Sequence, residues 1–544
     1  METEGGLELT EIRDLDGPNL FAPHPVIKLG LTLAPGERMS DDALRAAHRA
    51  LSVELPSSPL DALPTVIGAL HEAVGLTPPE VGLRWLDTPG HVAVSFEWLW
   101  RESSLAIAQS AWDFLSGAGT ATGITVARDA LERDRASGNQ PIWVRDDQRR
   151  VPAVGITGTN GKTTTTRLLA HMLRETGKHV GWSSSSGVYI DGEQVIEGDY
   201  TGPTGARRVL EDPTIEVAVL ETARGGILLR GLAYESNDVG VFLNVSADHL
   251  DMQGVETIDT LAEVKGVVVR VTRPSGVAVL NADDPLVLAQ RQRVAAEHLL
   301  FGVRPDNHEL QTHISSGGRA IVGDGGAIAL VSDGNATTIA ALADVPLTFG
   351  GAAAHMVENA LAAAGAAVGL GLSIEEIAHG LQTFRSDLRS NAGRLNVFRL
   401  DGRLVVVDYA HNESGLEALL SFTRRLMAGH GKLAVILGTA GDRQDGVLSG
   451  LGVIAVRGAD VILIKENPKY LRGRPLGEQT DIIRAAIEAR GGRDRIAGTY
   501  PGELDAFVAS LELTDDGDAI AVMCVEDQLA VYRELRHRGA EEWG

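Results

Sequence analysis

The sequence predicts a multidomain α/β protein. A small α+β unit is followed by a central parallel-sheet domain with a phosphate-binding loop and by a doubly wound, Rossmann-like C-terminal domain. From residue 151 onward, apolar β-branched runs alternate with helix-length segments, the pattern of parallel strands joined by crossover helices. One run ends in a glycine-rich turn that carries a lysine. A chain of 544 residues is also too long for one hydrophobic core, which indicates about three or four domains.

Residues 1–135 mix short apolar runs with helix-like segments, such as 103–115 and 121–131, and carry no catalytic motif. We expect a small α+β domain here. The stretch 132–141 is charged and then small and polar, which suits a domain boundary. We therefore place a linker at 136–150.

The central domain, predicted for 151–390, begins with the run Val151-Pro-Ala-Val-Gly-Ile156 and a glycine turn. Glycines in such a turn let backbone N–H groups surround an anion, and the following helix points its positive end at the same place. Lys162 is expected on the β- and γ-phosphates of ATP and the Thr163 hydroxyl on Mg²⁺. The strict P-loop pattern has glycine where Ile156 stands, so a glycine turn without a ligand is the alternative. The predicted phosphate-binding residues are Gly158, Thr159, Asn160, Gly161, Lys162, Thr163 and Thr164.

Later segments complete the two large domains. Central strands are predicted near 216–220, 239–244 and 277–280, with a strand-prone, glycine-rich insert at 300–345 and a helix that starts at Ser373. The C-terminal domain, predicted for 391–544, has apolar runs at 404–407, 433–437, 461–464 and 519–525. This second alternation predicts another doubly wound sheet.

Acidic and imidazole side chains follow two of the central strands. Glu221 comes directly after one apolar run, and Asp248, His249 and Asp251 follow the next. Open α/β sheets bind ligands at the carboxyl ends of their strands, and oxygen ligands suit Mg²⁺. A single His or Glu is more often structural or solvated, but their repetition at strand ends beside a phosphate loop favours a metal site.

Composition narrows the class of protein. A net charge of −24 argues against binding to nucleic acid or to an anionic membrane, which need a basic face. The single cysteine, Cys524, cannot form an intrachain disulfide, and the first residues do not resemble a signal peptide. We expect a cytoplasmic enzyme, and the sequence leaves open whether it forms a homo-oligomer.

Five motifs occur in the order found in the Mur ligase superfamily: Gly155-Ile-Thr-Gly-Thr-Asn-Gly-Lys-Thr163, Glu221, Asp248-His249, Asn281-Ala-Asp-Asp284 and Asp408-Tyr-Ala-His411. The segments Gly198-Asp-Tyr-Thr-Gly-Pro203, Gly441-Asp-Arg443 and Leu471-Arg-Gly-Arg474 resemble, within that superfamily, the Mur-type module of the cyanophycin synthetases. The resemblance covers about residues 151–540 and implies that the central and C-terminal domains are Mur ligase domains.

This resemblance implies an ATP-dependent amide ligase. Such enzymes move the γ-phosphoryl group of ATP onto a carboxylate, and an amino-acid amine then attacks the acyl phosphate to give an amide, ADP and phosphate. The implied cofactors are ATP and Mg²⁺, with two ions. The implied catalytic and metal-side residues are Lys162, Thr163, Glu221, His249 and Lys265. Lys265 matches a lysine that is often carbamylated in the superfamily, although an ordinary surface lysine on a helix is the alternative.

The resemblance also implies further binding residues. Asn281 matches an adenine-side position. Asn359 is expected to line the same pocket, with an amide on a helix surface as the alternative. The groups expected to approach the nucleotide when the domains close are Arg394, Asp408 and His411. Lys465-Glu-Asn-Pro-Lys469 resembles a motif that holds an amino-acid substrate. The expected amine-side residues are Asp442, Arg443, Glu466 and Asn467, with solvated charges as the alternative.

The N-terminal segment Arg13-Asp-Leu-Asp-Gly-Pro-Asn19 resembles the opening of the cyanophycin synthetase N-terminal domain, for which substrate docking is the implied role. An ATP-grasp module separates the two parts in that family, whereas here Arg150 leads directly into the phosphate loop. One of two ligase activities is therefore expected to be missing. The expected partners are a carboxylate-bearing peptide or small molecule and an amino acid. The alternatives are a nucleotide-binding scaffold without turnover and a P-loop kinase or ATPase.

Overall fold

The computed structural model describes residues 7–247, 253–441 and 443–543. The N-terminal part is an antiparallel sheet in the order β1-β2-β4-β3, whose core is shared with helices. Its elements are β1 (Glu8–Leu15), β2 (Val26–Thr32), α1 (Asp41–Leu51), α2 (Pro59–Ala73), β3 (Val81–Trp85), β4 (His91–Glu97), α3 (Arg101–Ser116) and α4 (Ala121–Ser137). The predicted α+β unit is confirmed, and α4 includes the first two residues of the predicted linker.

The central sheet has the order β15-β14-β13-β12-β11-β10-β5-β9-β6-β7-β8 within the described residues. Pairing is parallel from β13 through β6 and antiparallel at both margins. The strands are β5 (Ala153–Thr157), β6 (Val180–Ser184), β7 (Gly187–Ile190), β8 (Glu193–Glu197), β9 (Val217–Glu221), β10 (Asn237–Phe242), β11 (Thr272–Asn281), β12 (Glu297–Gly302), β13 (Arg319–Asp324), β14 (Ala327–Ser332) and β15 (Asn335–Ala341).

Helices lie against this sheet, and α11 and α5 pack side by side in its larger core. They are α5 (Lys162–Glu175), α6 (Pro203–Leu210), α7 (Arg224–Leu229), α8 (Ile258–Arg270), α9 (Pro285–Ala289), α10 (His308–Ser315), α11 (Ala354–Gly369) and α12 (Ile374–Thr383). Ser373 and Glu376 form the capping box at the start of α12, as the sequence predicts. The sequence predicts a strand-prone insert at 300–345. The range does contain strands, but it is not an insert, because β13, β14 and β15 continue the central sheet.

The C-terminal sheet has the order β20-β19-β18-β21-β17-β16-β22 and is parallel from β20 to β17. Its elements are β16 (Asn396–Leu400), β17 (Arg403–Asp408), α13 (Glu413–Leu426), β18 (Leu433–Leu437), α14 (Asp445–Gly458), β19 (Val461–Lys465), α15 (Glu478–Ala489), β20 (Ile496–Tyr500), α16 (Glu503–Glu512), β21 (Ala519–Met523), α17 (Gln528–His537) and β22 (Glu541–Glu542). This confirms the second doubly wound sheet.

The segment between α4 and β5 lies against the central sheet. Val144 pairs with Tyr234 in an isolated bridge, and the Asp238 carboxylate accepts hydrogen bonds from both Arg149 and the Ala153 amide. The predicted domain boundaries at 136–150 and 390 stay predictions. Among the described residues, none of the helices is both long and apolar enough to cross a membrane.

Candidate active site

A cavity of about 600 Å³ lies between the central and C-terminal domains. Its walls come from the loop before α5, from the ends of β6 and β9, from α11, and from the segments around β17 and β18. These are the carboxyl ends of parallel strands in both sheets, where open α/β sheets bind ligands. The cavity therefore lies where the sequence places the nucleotide.

The phosphate-binding loop joins β5 to α5 in the predicted order of strand, loop and helix. Gly161 is the N-cap of α5 with φ of 88°, and a Cβ atom there would lie 2.1 Å from the Asn359 Oδ1. Lys162 Nζ donates to the carbonyl oxygens of Gly158 at 3.0 Å and of Thr159 at 2.9 Å. The loop thus curls around its own lysine at the positive end of a helix, an arrangement suited to an anion.

The Thr163 hydroxyl contacts side chains of both domains. It donates to Glu221 Oε1 at 3.0 Å and lies 3.1 Å from the Ser185 hydroxyl. Arg394, from the C-terminal domain, donates to the same Thr163 oxygen at 3.3 Å and to Ser185 at 3.4 Å. The structure therefore brings three of the predicted residues, Thr163, Glu221 and Arg394, to one place.

Glu221 is 3% exposed at the end of β9. Burial raises the pKa of its carboxyl, against the positive charges of Lys162 and Arg394 and the hydrogen bonds from Thr163 and the Ser185 amide, which lower it. One carboxylate and two hydroxyls in contact form an oxygen donor set of the kind that suits Mg²⁺. The described residues hold no group of three His, Cys, Asp or Glu that could bind a metal, and His249, with Asp248 and Asp251, lies outside them.

Lys265 is buried on α8, with 5% exposure, so the alternative of an ordinary surface lysine is wrong. Its Nζ donates to the Gly158 carbonyl at 2.9 Å, which is the same oxygen that Lys162 contacts. Two lysines therefore converge on the phosphate-binding loop. In this form Lys265 is a hydrogen-bond donor, and its carbamylation stays a prediction.

The two predicted adenine-side asparagines differ in position. Asn359 is buried on α11, lines the cavity and accepts a hydrogen bond from Thr165 at 3.5 Å, so it is not a helix-surface amide. Asn281 ends β11 and donates to the Leu243 carbonyl at 2.8 Å, while its own oxygen accepts from the Asp283 amide. It is not among the described residues that line the cavity, and it holds the segment after β10.

Asp408 and His411 lie at the end of β17 and both line the cavity. Asp408 Oδ2 accepts from the Leu395 amide at 2.8 Å, so it fixes the backbone next to Arg394. The Arg394 guanidinium lies 4.6 Å from the centre of the Tyr409 ring, a distance typical of a cation–π contact. His411 Nδ1 lies 3.0 Å from the Tyr409 carbonyl. Asp408 and Tyr409 therefore orient Arg394.

Asn160 of the phosphate-binding loop also reaches the C-terminal domain. Its amide nitrogen donates to the Ser414 hydroxyl at 2.7 Å, and its oxygen accepts from Asn412 at 3.2 Å. On the other side, the Thr159 hydroxyl accepts from the Ser246 amide at 3.0 Å. The loop is thus held between the two domains, and its remaining predicted member, Thr164, is buried and lines the cavity.

The expected amine-side residues lie near the ends of β18 and β19. Glu466 is buried and accepts from the Thr480 hydroxyl at 2.8 Å, so it is not a solvated charge. Among the described residues, Glu466 Oε2, Asn467 Nδ2 and Gln479 Nε2 are buried without a hydrogen-bond partner. Arg443 is buried and lines the cavity, whereas Asp442 lies outside the described residues. Glu466, Asn467 and Gln479 are not among the described residues that line the cavity, and the role of Glu466 and Asn467 in holding the amino acid stays a prediction.

Two family models match the chain: the Mur ligase middle domain over residues 156–367, and the glutamate ligase domain of Mur ligases over residues 393–524. The UDP-N-acetylmuramoyl-L-alanyl-D-glutamate–2,6-diaminopimelate ligase of Chlorobaculum tepidum is 30% identical over 397 residues. That alignment covers 70% of this chain and 73% of the relative. The chain belongs to the Mur ligase family.

The cyanophycin synthetase of Crocosphaera subtropica is more similar in sequence, with 45% identity over 382 residues. The alignment covers 70% of this Mur ligase but 43% of the synthetase. The chain therefore spans less than half the length of the cyanophycin synthetases that it matches. This confirms the predicted resemblance to that family.

The folylpolyglutamate synthase of Mycobacterium tuberculosis, solved in complexes with ADP and AMPPCP, has a similar fold. The TM-score is 0.52 at 20% sequence identity, and the match covers 73% of this Mur ligase and 92% of that chain. At this identity the likeness concerns the fold alone. It supports the predicted pair of α/β domains.

Sequence reasoning missed several cavity residues of this Mur ligase. Ser185 contacts both Thr163 and Glu221, and a row of four serines directly after an apolar run was the available signal. Glu358 lines the cavity beside Asn359, but nothing in the sequence distinguishes it from other helix carboxylates. Arg167, which is not among the described residues that line the cavity, donates to Ser186 and Asn391, contacts that no local sequence pattern indicates.

Proposed function

We propose that this Mur ligase is an ATP-dependent amide ligase that activates a carboxylate as an acyl phosphate for attack by an amino-acid amine. One observation carries the proposal: the Thr163 hydroxyl contacts Glu221 of the central domain and Arg394 of the C-terminal domain. A ligase needs this arginine, because two anions must be brought together. P-loop hydrolases also use an arginine from a second domain or subunit to offset phosphate charge, so the amine requirement tested below is what distinguishes a ligase.

In this proposal, cationic side chains hold the phosphates of ATP, and oxygen-bearing side chains bind the metal ion. ATP supplies the γ-phosphoryl group, and Mg²⁺ neutralises its charge when bound. Lys162 is placed to hold the phosphates, and Thr163, Glu221 and Ser185 offer oxygen ligands for the metal. The second metal ion and the contributions of His249 and a carbamylated Lys265 belong to the same proposal.

Repulsion between ATP and a carboxylate substrate is the main barrier to their meeting in one cavity. Arg394 and Arg443, both in the cavity wall, can offset it from the side of the C-terminal domain. The direct contacts of Asn160 with Ser414 and Asn412 close the wall over the loop. Closure excludes water, which would otherwise hydrolyse an acyl phosphate.

The proposed binding of the amino-acid substrate rests on buried polar atoms near β19. Glu466 Oε2 is an acceptor for a cationic amine, and Asn467 Nδ2 and Gln479 Nε2 are donors for a carboxylate. A basic amino acid such as arginine or lysine has both groups. By analogy with the cyanophycin synthetases, we propose the side-chain carboxylate of an aspartyl peptide as the acceptor. The cytoplasm, where ATP is available, is the proposed location.

The test is a matrix of short aspartyl peptides and amino acids, with ADP release measured and the amide identified by mass spectrometry. We expect ADP only when both a carboxylate and an amine are present. Lys162→Met should lower turnover by about a hundredfold or more, because the phosphates lose their cation. Lys178→Met, an exposed lysine just beyond the same helix, is the matched control and should have no effect.

Three outcomes separate the hypotheses. ADP coupled to amide formation supports the ligase. Phosphate release without any amine would instead indicate an ATPase or kinase. Tight ATP binding without ADP formation in every combination would indicate a scaffold, the second function class that the sequence allows.

A further inference from the structure

The N-terminal domain contacts the central domain through the turn between β3 and β4. Asp87, in this turn, accepts hydrogen bonds at Oδ2 from the amides of Glu256 at 2.9 Å and Thr257 at 3.0 Å, and from the Thr257 hydroxyl at 3.1 Å. Its Oδ1 accepts from the Thr260 hydroxyl at 2.7 Å. One side chain therefore binds four donors that are about 170 residues away in sequence.

These donors form the beginning of α8. Thr257 is its N-cap, and the Thr257 hydroxyl also accepts from the Thr260 amide at 3.2 Å. A carboxylate at a helix N-terminus is stabilised by the helix dipole and by unpaired amides. Asp87 thus fixes Thr257, the N-cap residue of α8, and the backbone amide of the preceding residue, Glu256.

A second contact fixes the next turns of α8. Arg84 of β3 pairs with Glu263, which also pairs with Arg293 at 3.0 Å. Glu263 lies two residues before Lys265, and Arg293 belongs to the central domain. The N-terminal domain therefore holds α8 at its start and at its second turn.

The same helix carries a side chain to the phosphate-binding loop. Lys265 Nζ donates to the Gly158 carbonyl at 2.9 Å. The helix also packs on β5, the strand that leads into the loop: a Cβ atom at Gly155 would lie 2.8 Å from Val268 Cγ1. A small displacement of α8 would therefore move Lys265 or the strand below the loop.

We infer that the β3–β4 turn is a positioning element of the nucleotide site, in which Asp87 fixes α8 and α8 holds Lys265 against the phosphate-binding loop. Asp87 is a positioning residue, since it acts through α8 and does not itself line the cavity. The inference rests on the proposed binding of ATP. It gives residues 1–135 a role in the central site in addition to any docking of substrate.

The test measures the Kd of Mg·ADP by titration calorimetry on the full chain. We expect Asp87→Asn to raise Kd about five- to tenfold. The asparagine side chain would place an NH₂ group, itself a donor, where one carboxylate oxygen of Asp87 now accepts hydrogen bonds. Thr260→Val removes one of the four bonds and should give a smaller rise in the same direction. Asp42→Asn, an exposed carboxylate on α1 of the same domain, is the matched control and should leave Kd unchanged.

A double-mutant cycle separates positioning from a general loss of structure. In a Lys265→Met background, Asp87→Asn should raise Kd by less than twofold, because the contact through Lys265 is gone and only the packing of α8 on β5 still connects Asp87 to the loop. The inference is overturned if Asp87→Asn leaves Kd unchanged, or if its effect is undiminished in the Lys265→Met background. Absence of Mg·ADP binding by the parent chain would instead refute the proposed function.

Discussion

At the scale of single residues, the half-buried carboxyl of Glu358 and the buried carboxyl of Glu503 show how environment sets ionisation. Burial raises the pKa of Glu358 on α11 to about 7, and the nearby charges of Asp283 and Asp284 add to the rise. Glu503 is buried, which alone would raise its pKa, but Lys465 and the amides of Asp527 and Glu526 more than offset this and lower it. The two groups should therefore give stability opposite dependences on pH.

Glu358→Gln tests the raised pKa. The folded state binds the Glu358 proton more tightly than the unfolded state, so its stabilising effect is present below the usual pKa of 4.5 and is lost as pH rises through about 7. We expect the variant to exceed the parent in stability at pH 8 by about 2 kcal/mol and to match it near pH 4.5. Thermal unfolding at both pH values checks this, with exposed Glu375→Gln as control. Equal effects at both pH values would contradict it.

Glu503→Gln tests the lowered pKa. The carboxylate accepts from Lys465 Nζ at 2.7 Å and from the amides of Val525, Glu526 and Asp527. The substitution leaves a buried ammonium without its anion and should cost about 3 kcal/mol. Because the folded pKa lies below 4.5, this contribution is complete above pH 4.5 and is lost as pH falls further.

The measurement is the difference in apparent Tm between parent and Glu503→Gln from pH 8 down to pH 3.5. The difference should be constant at neutral pH and shrink in acid. Glu512→Gln, at the exposed end of the same helix, should show no difference at any pH. A Glu503→Gln difference that persists undiminished in acid would refute the ion-pair explanation.

At the scale of elements, the phosphate-binding loop requires glycine at position 161 for two reasons, its backbone conformation and its close contact with a neighbouring side chain. Gly161 has a positive φ of 88°, and its missing Cβ leaves room for Asn359 Oδ1. Gly177, beyond the other end of α5, has a similar φ of 86° but no atom within 4 Å of a Cβ position. Substitution of Gly177 therefore tests backbone strain alone, whereas substitution of Gly161 tests backbone strain together with close packing.

Gly161→Ala should strongly weaken Mg·ADP binding, because the new methyl group would displace the Asn359 side chain from the cavity wall or shift the loop, and the positive φ adds strain. Gly177→Ala should cost about 1 kcal/mol of stability and leave nucleotide affinity unchanged. Calorimetric titration and thermal unfolding of both variants check this. If the two variants bind Mg·ADP equally well, the close approach to Asn359 has no role in the site.

The elements also show what a sequence can predict. The buried parallel strands β5, β9, β18 and β21 were predictable because they are continuous apolar runs. The edge strand β3 was not, because its residues are exposed or half-buried and carry no alternation. The position of Lys162 and Thr163 at the start of α5 followed from spacing, and their phosphate and metal roles stay predictions. The contacts of Ser185 and Asp87 depend on tertiary structure, so no local pattern could have indicated them.

At the scale of the whole molecule, activity should depend on how the C-terminal domain is held against α5. Arg167 donates to Asn391 Oδ1 at 3.2 Å, to the Ala392 carbonyl at 3.1 Å and to the Ser186 hydroxyl at 2.9 Å. Burial and the nearby charge of Arg394 lower its pKa to about 10, so it stays protonated at neutral pH. It therefore connects the central domain to the segment that leads into Arg394.

Arg167→Met keeps much of the side-chain volume but removes these bonds. We expect turnover to fall about a hundredfold, because Arg394 is no longer held at Thr163, while the Kd of Mg·ADP changes by threefold or less, since the loop itself is intact. Small-angle scattering should show a larger radius of gyration. Arg174→Met, farther along α5 and paired with Asp191 of the same domain, is the control and should change none of these. Unchanged scattering together with unchanged turnover would show that Arg167 is not needed for closure.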